Sequence, residues 1–138
     1  AEFVRYGVMH RNTYLNSPKL LDRYYRLRSD ERISFAGQMT GVEGYVESAA
    51  SGMLVGIETA ARVLGLDSVD FPQETAIGAL AEYISGGSVG DFQPMNINFG
   101  IITPLGYRVK GKRNKNAEIS RRSLEIIDKL LTKEVFRL

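Results

Sequence analysis

Between Ala36 and Leu64 a glycine-rich octet runs directly into a long helical pattern whose early turns carry almost no side-chain bulk. The octet is Gly37-Gln38-Met39-Thr40-Gly41-Val42-Glu43-Gly44. Behind it the apolar positions Val46, Ala50, Met53, Leu54, Ile57, Ala61 and Leu64 step by three and four, the period of one helix face, and predict a helix over roughly Tyr45 to Leu64. Gly65 supplies the stop. Ser48, Ala49, Ala50, Ser51, Gly52 and Gly56 make the early part small-sided. A glycine inside a helix costs about 1 kcal/mol relative to alanine, so Gly52 and Gly56 call for a compensating close approach of another backbone or a ligand. Just before the octet, Ile33-Ser34-Phe35-Ala36 is a compact candidate for a buried strand.

Strand, glycine loop and helix together make an arrangement that can face a phosphate or a cofactor. Glycines bring backbone close to a ligand with no Cβ in the way. The first turn of a helix points free N–H groups and a partial positive charge outward, which suits an anionic or electron-rich group. The spacing of Gly37, Gly41 and Gly44 does not spell G-x-G-x-x-G, and no acidic ribose ligand follows at the expected distance. On the residues alone two readings stay open: a tight strand-to-helix connection, or a ligand cradle.

The rest of the chain offers less. Phe3 to Met9 reads as a short strand, and His10 to Pro18 as polar irregular chain. Leu20 to Leu27 fits no single element, and Ser29-Asp30-Glu31-Arg32 is a turn. A second helix is predicted from Pro72 to Ile84, with Pro72 in its first turn and Ser85-Gly86-Gly87 ending it. Phe99 to Thr103 suggests another strand. A last helix runs from about Ala117 to Lys133, started by Asn114 or Asn116, with Ile119, Ile126, Ile127, Leu130 and Leu131 as its apolar face. About three short strands are thin for a covered α/β sheet. The long helix is therefore expected to pack on something beyond these 138 residues, and an uncovered sheet would favour self-association.

Composition excludes several classes. Hydrophobic residues are 43% and charged residues 25%, a globular balance at the size of one domain. No apolar run reaches the ~18 residues of a membrane span, and Ala1 to Arg5 does not open a signal peptide. Without cysteine there is no disulfide, thiolate metal site or thiol nucleophile, and with His10 as the one histidine there is no multi-histidine site. No metal ligand and no catalytic side chain is nominated, and a cytoplasmic setting is expected. The net charge of +2 hides an asymmetry: residues 108–138 hold ten Lys/Arg against four Asp/Glu, residues 1–107 eight against twelve. A basic end on a near-neutral chain points to a polyanion or to a solvated helix face. Gly106 to Arg113 nearly spells a phosphate-binding loop but has Arg113 where Ser or Thr must hold magnesium.

Several long blocks resemble one family. Phe3-Val4-Arg5-Tyr6-Gly7-Val8-Met9-His10-Arg11-Asn12-Thr13-Tyr14-Leu15-Asn16-Ser17-Pro18, the stretch Phe35 to Gly52, Pro72 to Leu80, and Phe92 to Gly100 are similar, in the same order, to the folate- and FAD-dependent tRNA (uracil-5-)-methyltransferases called TrmFO. The second block is shared more loosely with flavoproteins that modify wobble uridines. The resemblance implies an α/β chain, the C-terminal part of a Rossmann-like FAD-binding fold with few strands and about three helices, incomplete without an N-terminal half. Residues 1–65 would be the closing segment of the FAD-binding domain and residues 66–138 a helical region. It implies FAD and methylenetetrahydrofolate as cofactors, NAD(P)H as reductant, and tRNA methylated at C5 of a T-loop uridine as product.

Residue by residue, the resemblance assigns Gly37, Gln38, Gly44, Tyr45 and Val46 to the flavin and His10, Arg11 and Asn12 to the folate. It turns Arg108, Lys110, Lys112, Arg113 and Lys115 into a loop for tRNA phosphates. His10 as a stacking partner or as a surface histidine stays open on the residues. Among the interleaved cations and aromatics upstream, Arg5 and Arg11 are the leading RNA candidates. Missing are the G-x-G-x-x-G unit, the upstream cysteine expected of the chemistry, and the domain inserted between the two flavin-binding halves. The expectation is therefore a fragment that is inactive alone, or a free-standing, non-catalytic RNA-binding module that kept this part of the fold.

Overall fold

The long helix packs on the glycine turn before it and on the helix that follows it. The computed structural model describes residues 13–87, 91–133 and 136. The strand expected at Phe3 to Met9, the folate candidates His10, Arg11 and Asn12, and Arg5 lie outside the described residues. In chain order come α1 (Ser17–Leu20), β1 (Arg26–Leu27), β2 (Asp30–Ser34), a 3₁₀ turn at Gly37–Thr40, α2 (Tyr45–Leu64), α3 (Ala76–Glu82) running into a wide turn at Tyr83–Gly87, and α4 (Lys112–Leu130). A mixed, mainly helical unit with a two-stranded sheet is consistent with part of an α/β domain.

α2 has the predicted bounds and stops where Gly65 adopts φ 68°. Its buried line is Ser51, Leu54, Glu58 and Ala61. The predicted apolar face is only partly the buried one, since Val46, Met53 and Leu64 are exposed. Leu54 joins Leu21, Tyr25, Val42, Val69, Phe71, Leu80, Ala81 and Ile84 in the main core, which draws on both sides of residue 65. A smaller core holds Ala79, Ile102 and Ile119.

The expected buried strand does not form. Among the described residues β2 pairs antiparallel with β1 alone, Arg26 opposite Ser34 and Leu27 opposite Asp30. With one neighbour the strand is solvated: Arg32 is bound to Asp30 along it, Ile33 is 45% exposed, and Phe35 and Ala36 fall outside it. The hairpin is fastened instead by charge. Arg26 Nε donates to Asp22 (2.8 Å), and its guanidinium lies 3.7 Å from Glu58, which is buried on α2 and accepts from Ser68 Oγ at 2.6 Å.

Three further boundaries differ from expectation. α3 starts at Ala76 rather than at Pro72, because Thr75 caps it: Thr75 Oγ1 accepts from Gly78 N at 3.0 Å. Pro72 sits one turn upstream, where its carbonyl accepts from Thr75 N. Phe99 to Thr103 is a turn rather than a strand, held by Gln73 through Thr103 N→Gln73 O and Gln73 Nε2→Ile101 O, both 3.2 Å. α4 begins at Lys112, five residues earlier than predicted. Its cap is Gly111 at φ 87°, while Asn114 braces the turn by donating to the Lys110 carbonyl.

Candidate functional site at the start of α2

The glycine octet is a folded turn pressed against the first two turns of α2. Gly37 N donates to Ser51 Oγ (2.8 Å), whose hydroxyl in turn donates to Ser48 O, and Thr40 Oγ1 returns to Gly37 O. From the other side Ser17 Oγ donates to Thr40 O inside the core. The turn is thus positioned by two serines that the sequence did not single out.

A second segment docks alongside. Val42 and Met95 form a parallel bridge, with Met95 N→Gly41 O at 3.0 Å and Glu43 N→Met95 O at 3.1 Å. Phe92 lies over Gly41: a Cβ there would stand 2.4 Å from the ring, and φ is +89°. A Cβ on Gly44, at φ +88°, would meet the Glu47 carboxylate at 2.2 Å and the Asn96 amide at 2.8 Å. The left-handed backbone at both positions favours glycine, and the neighbouring side chains would have to shift to admit a Cβ. Glu47 accepts from Asn96 Nδ2 and Ile97 N, each 3.2 Å. Its own backbone N–H first, then the Asn96 amide, and with them Ile97 N, hold the Glu47 carboxyl below the usual range against the opposing effect of desolvation.

What remains open is the tip. Gly44 is the N-cap and has no side chain to offer, and the first-turn Glu47 carboxylate takes its own amide alone. Among the described residues the amides of Tyr45 and Val46 have no acceptor, while their side chains are 90% and 79% exposed. Gly37, Gln38, Gly44, Tyr45 and Val46 are gathered at this one end of α2, with Gln38 also exposed. The opening then continues down the helix. Tyr45, Ala49, Gly52, Gly56, Ala60 and Val63 share the face opposite the core and are all exposed, and nothing lies within 4 Å of a Cβ built on Gly52 or Gly56.

The basic residues are also accessible. Lys112, Arg113 and Lys115 belong to the first turn of α4, not to a loop, and only Arg108 and Lys110 precede it. None of the five forms an ion pair among the described residues. That turn has no acidic residue and no side-chain cap. Cations beside the positive end of a helix dipole are unfavourable, and a bound anion would relieve both. No group of three metal-binding side chains and no helix long and apolar enough to cross a membrane occurs among the described residues.

The family described as glucose inhibited division protein A matches residues 1–67. Three relatives named methylenetetrahydrofolate–tRNA-(uracil-5-)-methyltransferase TrmFO are similar along nearly the whole chain. The one from Acetivibrio thermocellus is 56% identical over 133 residues, 96% of this chain and 30% of the relative. That from Anoxybacillus flavithermus is 57% identical, over 96% of this chain and 31% of the relative. That from Bacillus subtilis is 54% identical, over 91% and 29%. The chain spans about 30% of the length of these curated relatives.

Proposed function

Because the chain belongs to the TrmFO family by sequence, we propose that it is the flavin-closing and RNA-contacting portion of a methylenetetrahydrofolate- and FAD-dependent tRNA (uracil-5-)-methyltransferase. The observation that carries this reading is the start of α2, where the unpartnered amides of Tyr45 and Val46 and a bare helix face meet in a segment resembling the family's flavin loop. The residues fit the cofactor: Gly44, Tyr45 and Val46 offer N–H donors and a helix dipole to the electron-rich pyrimidine edge of an isoalloxazine. Gly37 and Gln38 line the turn beside it. FAD, reloaded by NAD(P)H, would supply reducing equivalents and methylenetetrahydrofolate the carbon. His10, Arg11 and Asn12 are assigned to the folate, and Arg108, Lys110, Lys112, Arg113 and Lys115 to tRNA phosphates.

Residues 1–65 then serve the flavin side and residues 66–138 the RNA side of one shared core. The Gly52–Gly56 face receives the Rossmann-like remainder of the longer polypeptide. Without it the chain is inactive, and with it the setting is cytoplasmic.

Flavin content tests this. Gly52→Leu in a polypeptide that also carries the remainder is expected to lose bound flavin, while the same change in the 138-residue chain leaves its thermal unfolding unchanged or higher, since nothing lies near Gly52. Full flavin content in the longer variant would refute the docking. Tight tRNA binding by the chain alone, unaltered by adding the remainder, would favour a free-standing RNA-binding module.

A further inference from the structure

A cleft of about 390 Å³ opens between α4 and the turn that follows Ile97. Its floor is the smaller core, Ile102 and Ile119, and its walls add Ala76 and Ile97. At the mouth two large apolar side chains stand in water, Phe99 at 45% and Leu124 at 65% exposure. Ser120 and Ser123 bring hydroxyls to an otherwise apolar lining, while Asn98, also in the lining, spends its amide on Asn96 O and Gly100 N. The volume lies within the roughly 300–1,000 Å³ of ligand pockets, and the composition is that of such pockets too: apolar walls with a few polar groups.

The cleft is held open by bonds that do not line it. The Arg122 guanidinium clasps the Thr103 and Pro104 carbonyls, and Gln73 ties the same turn to the start of α3. Charge on the approach from Arg108 to Lys115 is basic, while Asp128 stands one turn beyond Leu124 on the same face of α4. No Asp or Glu occurs between Asp91 and Glu118. Glu118 and Glu125 on α4 are already paired with Arg121 at 2.9 and 2.5 Å. Arg113 stands seven residues before Ser120, so it lies on the same face two turns, about 10.5 Å, towards the helix start, flanked by Lys112.

A flat ring with a hydrogen-bonding edge, attached to an anion, satisfies all of these features together. An aliphatic chain would use the walls and leave the hydroxyls and cations idle. We propose that this cleft receives one unstacked nucleobase of an RNA loop, stacked on Phe99, with the adjoining phosphates on Lys112 and Arg113. The inference rests on the assignment of those cations to RNA, and it adds the base that makes the contact loop-specific.

Binding of two RNAs to the full 138-residue chain separates the two claims: a stem-loop carrying 2-aminopurine in its loop, and a duplex of equal length. The wild-type chain is expected to bind the stem-loop more tightly and to change the 2-aminopurine fluorescence. Phe99→Ala weakens stem-loop binding about ten-fold, the scale of one lost base–aromatic stack, and abolishes the fluorescence change without altering duplex binding or its salt slope. Leu124→Glu, at an exposed position, acts the same way. Lys112→Ala/Arg113→Ala instead weakens both RNAs and flattens the salt dependence. If Phe99→Ala and Leu124→Glu leave stem-loop binding and fluorescence at wild-type values, the base pocket is wrong while the phosphate contacts stand. If the wild-type chain binds neither RNA, both fall. Equal competition by free adenosine monophosphate would assign the cleft to mononucleotides and overturn the RNA reading of it.

Discussion

Replacing glycine by alanine should have opposite effects on two helices of this chain. In an exposed helix interior the change is worth about 1 kcal/mol in favour of alanine. Gly56 on α2 has nothing within 4 Å of a built Cβ, so Gly56→Ala should collect most of that gain. Gly78 on α3 is buried, and its Cβ would stand 2.1 Å from the Pro72 carbonyl oxygen and 2.2 Å from that of Phe71. Reaching the 3.0 Å below which β-carbons essentially never stand requires a shift of about 0.9 Å, the difference between 3.0 and 2.1 Å. Both oxygens are tethered: Pro72 O accepts from Thr75 N (2.9 Å) and Thr75 Oγ1 (2.8 Å), Phe71 O from Arg23 Nη2 (2.9 Å). Overpacking of this kind costs roughly 1–3 kcal/mol, and loosening the Thr75 cap roughly 1 kcal/mol more. Against the helix-propensity gain, Gly78→Ala should lose about 2 kcal/mol net. At about 3–4 °C per kcal/mol for a chain of this size, thermal unfolding followed by circular dichroism should show Gly56→Ala a few degrees above and Gly78→Ala about 6–8 °C below the parent. Equal shifts for the two variants, or a stabilised Gly78→Ala, would refute the packing described for α3.

Arg26→Met should destabilise by about 2 kcal/mol or more, because it strands the buried Glu58 carboxylate, and Arg26→Met/Glu58→Met should recover most of the loss in urea unfolding. The Glu47 carboxyl is depressed in the folded chain, so its contribution is fully present above the unfolded carboxyl value of about 4.3 and is lost as pH falls through the lower folded value. Glu47→Gln should therefore flatten the acid limb of the stability–pH curve and leave its neutral limb in shape. Gly41→Ala drives a Cβ into the Phe92 ring at a left-handed backbone position, and near-ultraviolet circular dichroism of the Tyr14–Phe92–Tyr83 cluster should weaken.

The sequence announces α2 clearly because periodicity, small residues and Gly65 all agree, and its bounds are as predicted. Elements governed by contact rather than by local pattern are less legible. Thr75 outcompetes Pro72 as the start of α3 because its hydroxyl reaches the Gly78 amide, a bond that composition does not reveal. Gly111 starts α4 ahead of two asparagines through a positive φ, which converts most of a supposed basic loop into helix. The segment Phe92 to Asn98 is recognisable by resemblance, but its place beside Gly41 rests on the Met95 bridge, the Phe92 ring and bonds to Glu47, long-range contacts that leave no periodic trace. Ser51 and Asn96 position the candidate site for the same reason: each acts through one long-range bond. The bareness of Gly52 and Gly56 was legible as a demand for a partner, and within this chain that face stays open.

The most direct measurement is a crystal structure of the longer polypeptide with FAD bound. The amide nitrogens of Tyr45 and Val46 should lie about 2.7–3.2 Å from acceptor atoms on the pyrimidine edge of the isoalloxazine ring. A flavin seated elsewhere, with those two amides turned to solvent or capped by protein, would contradict the assignment.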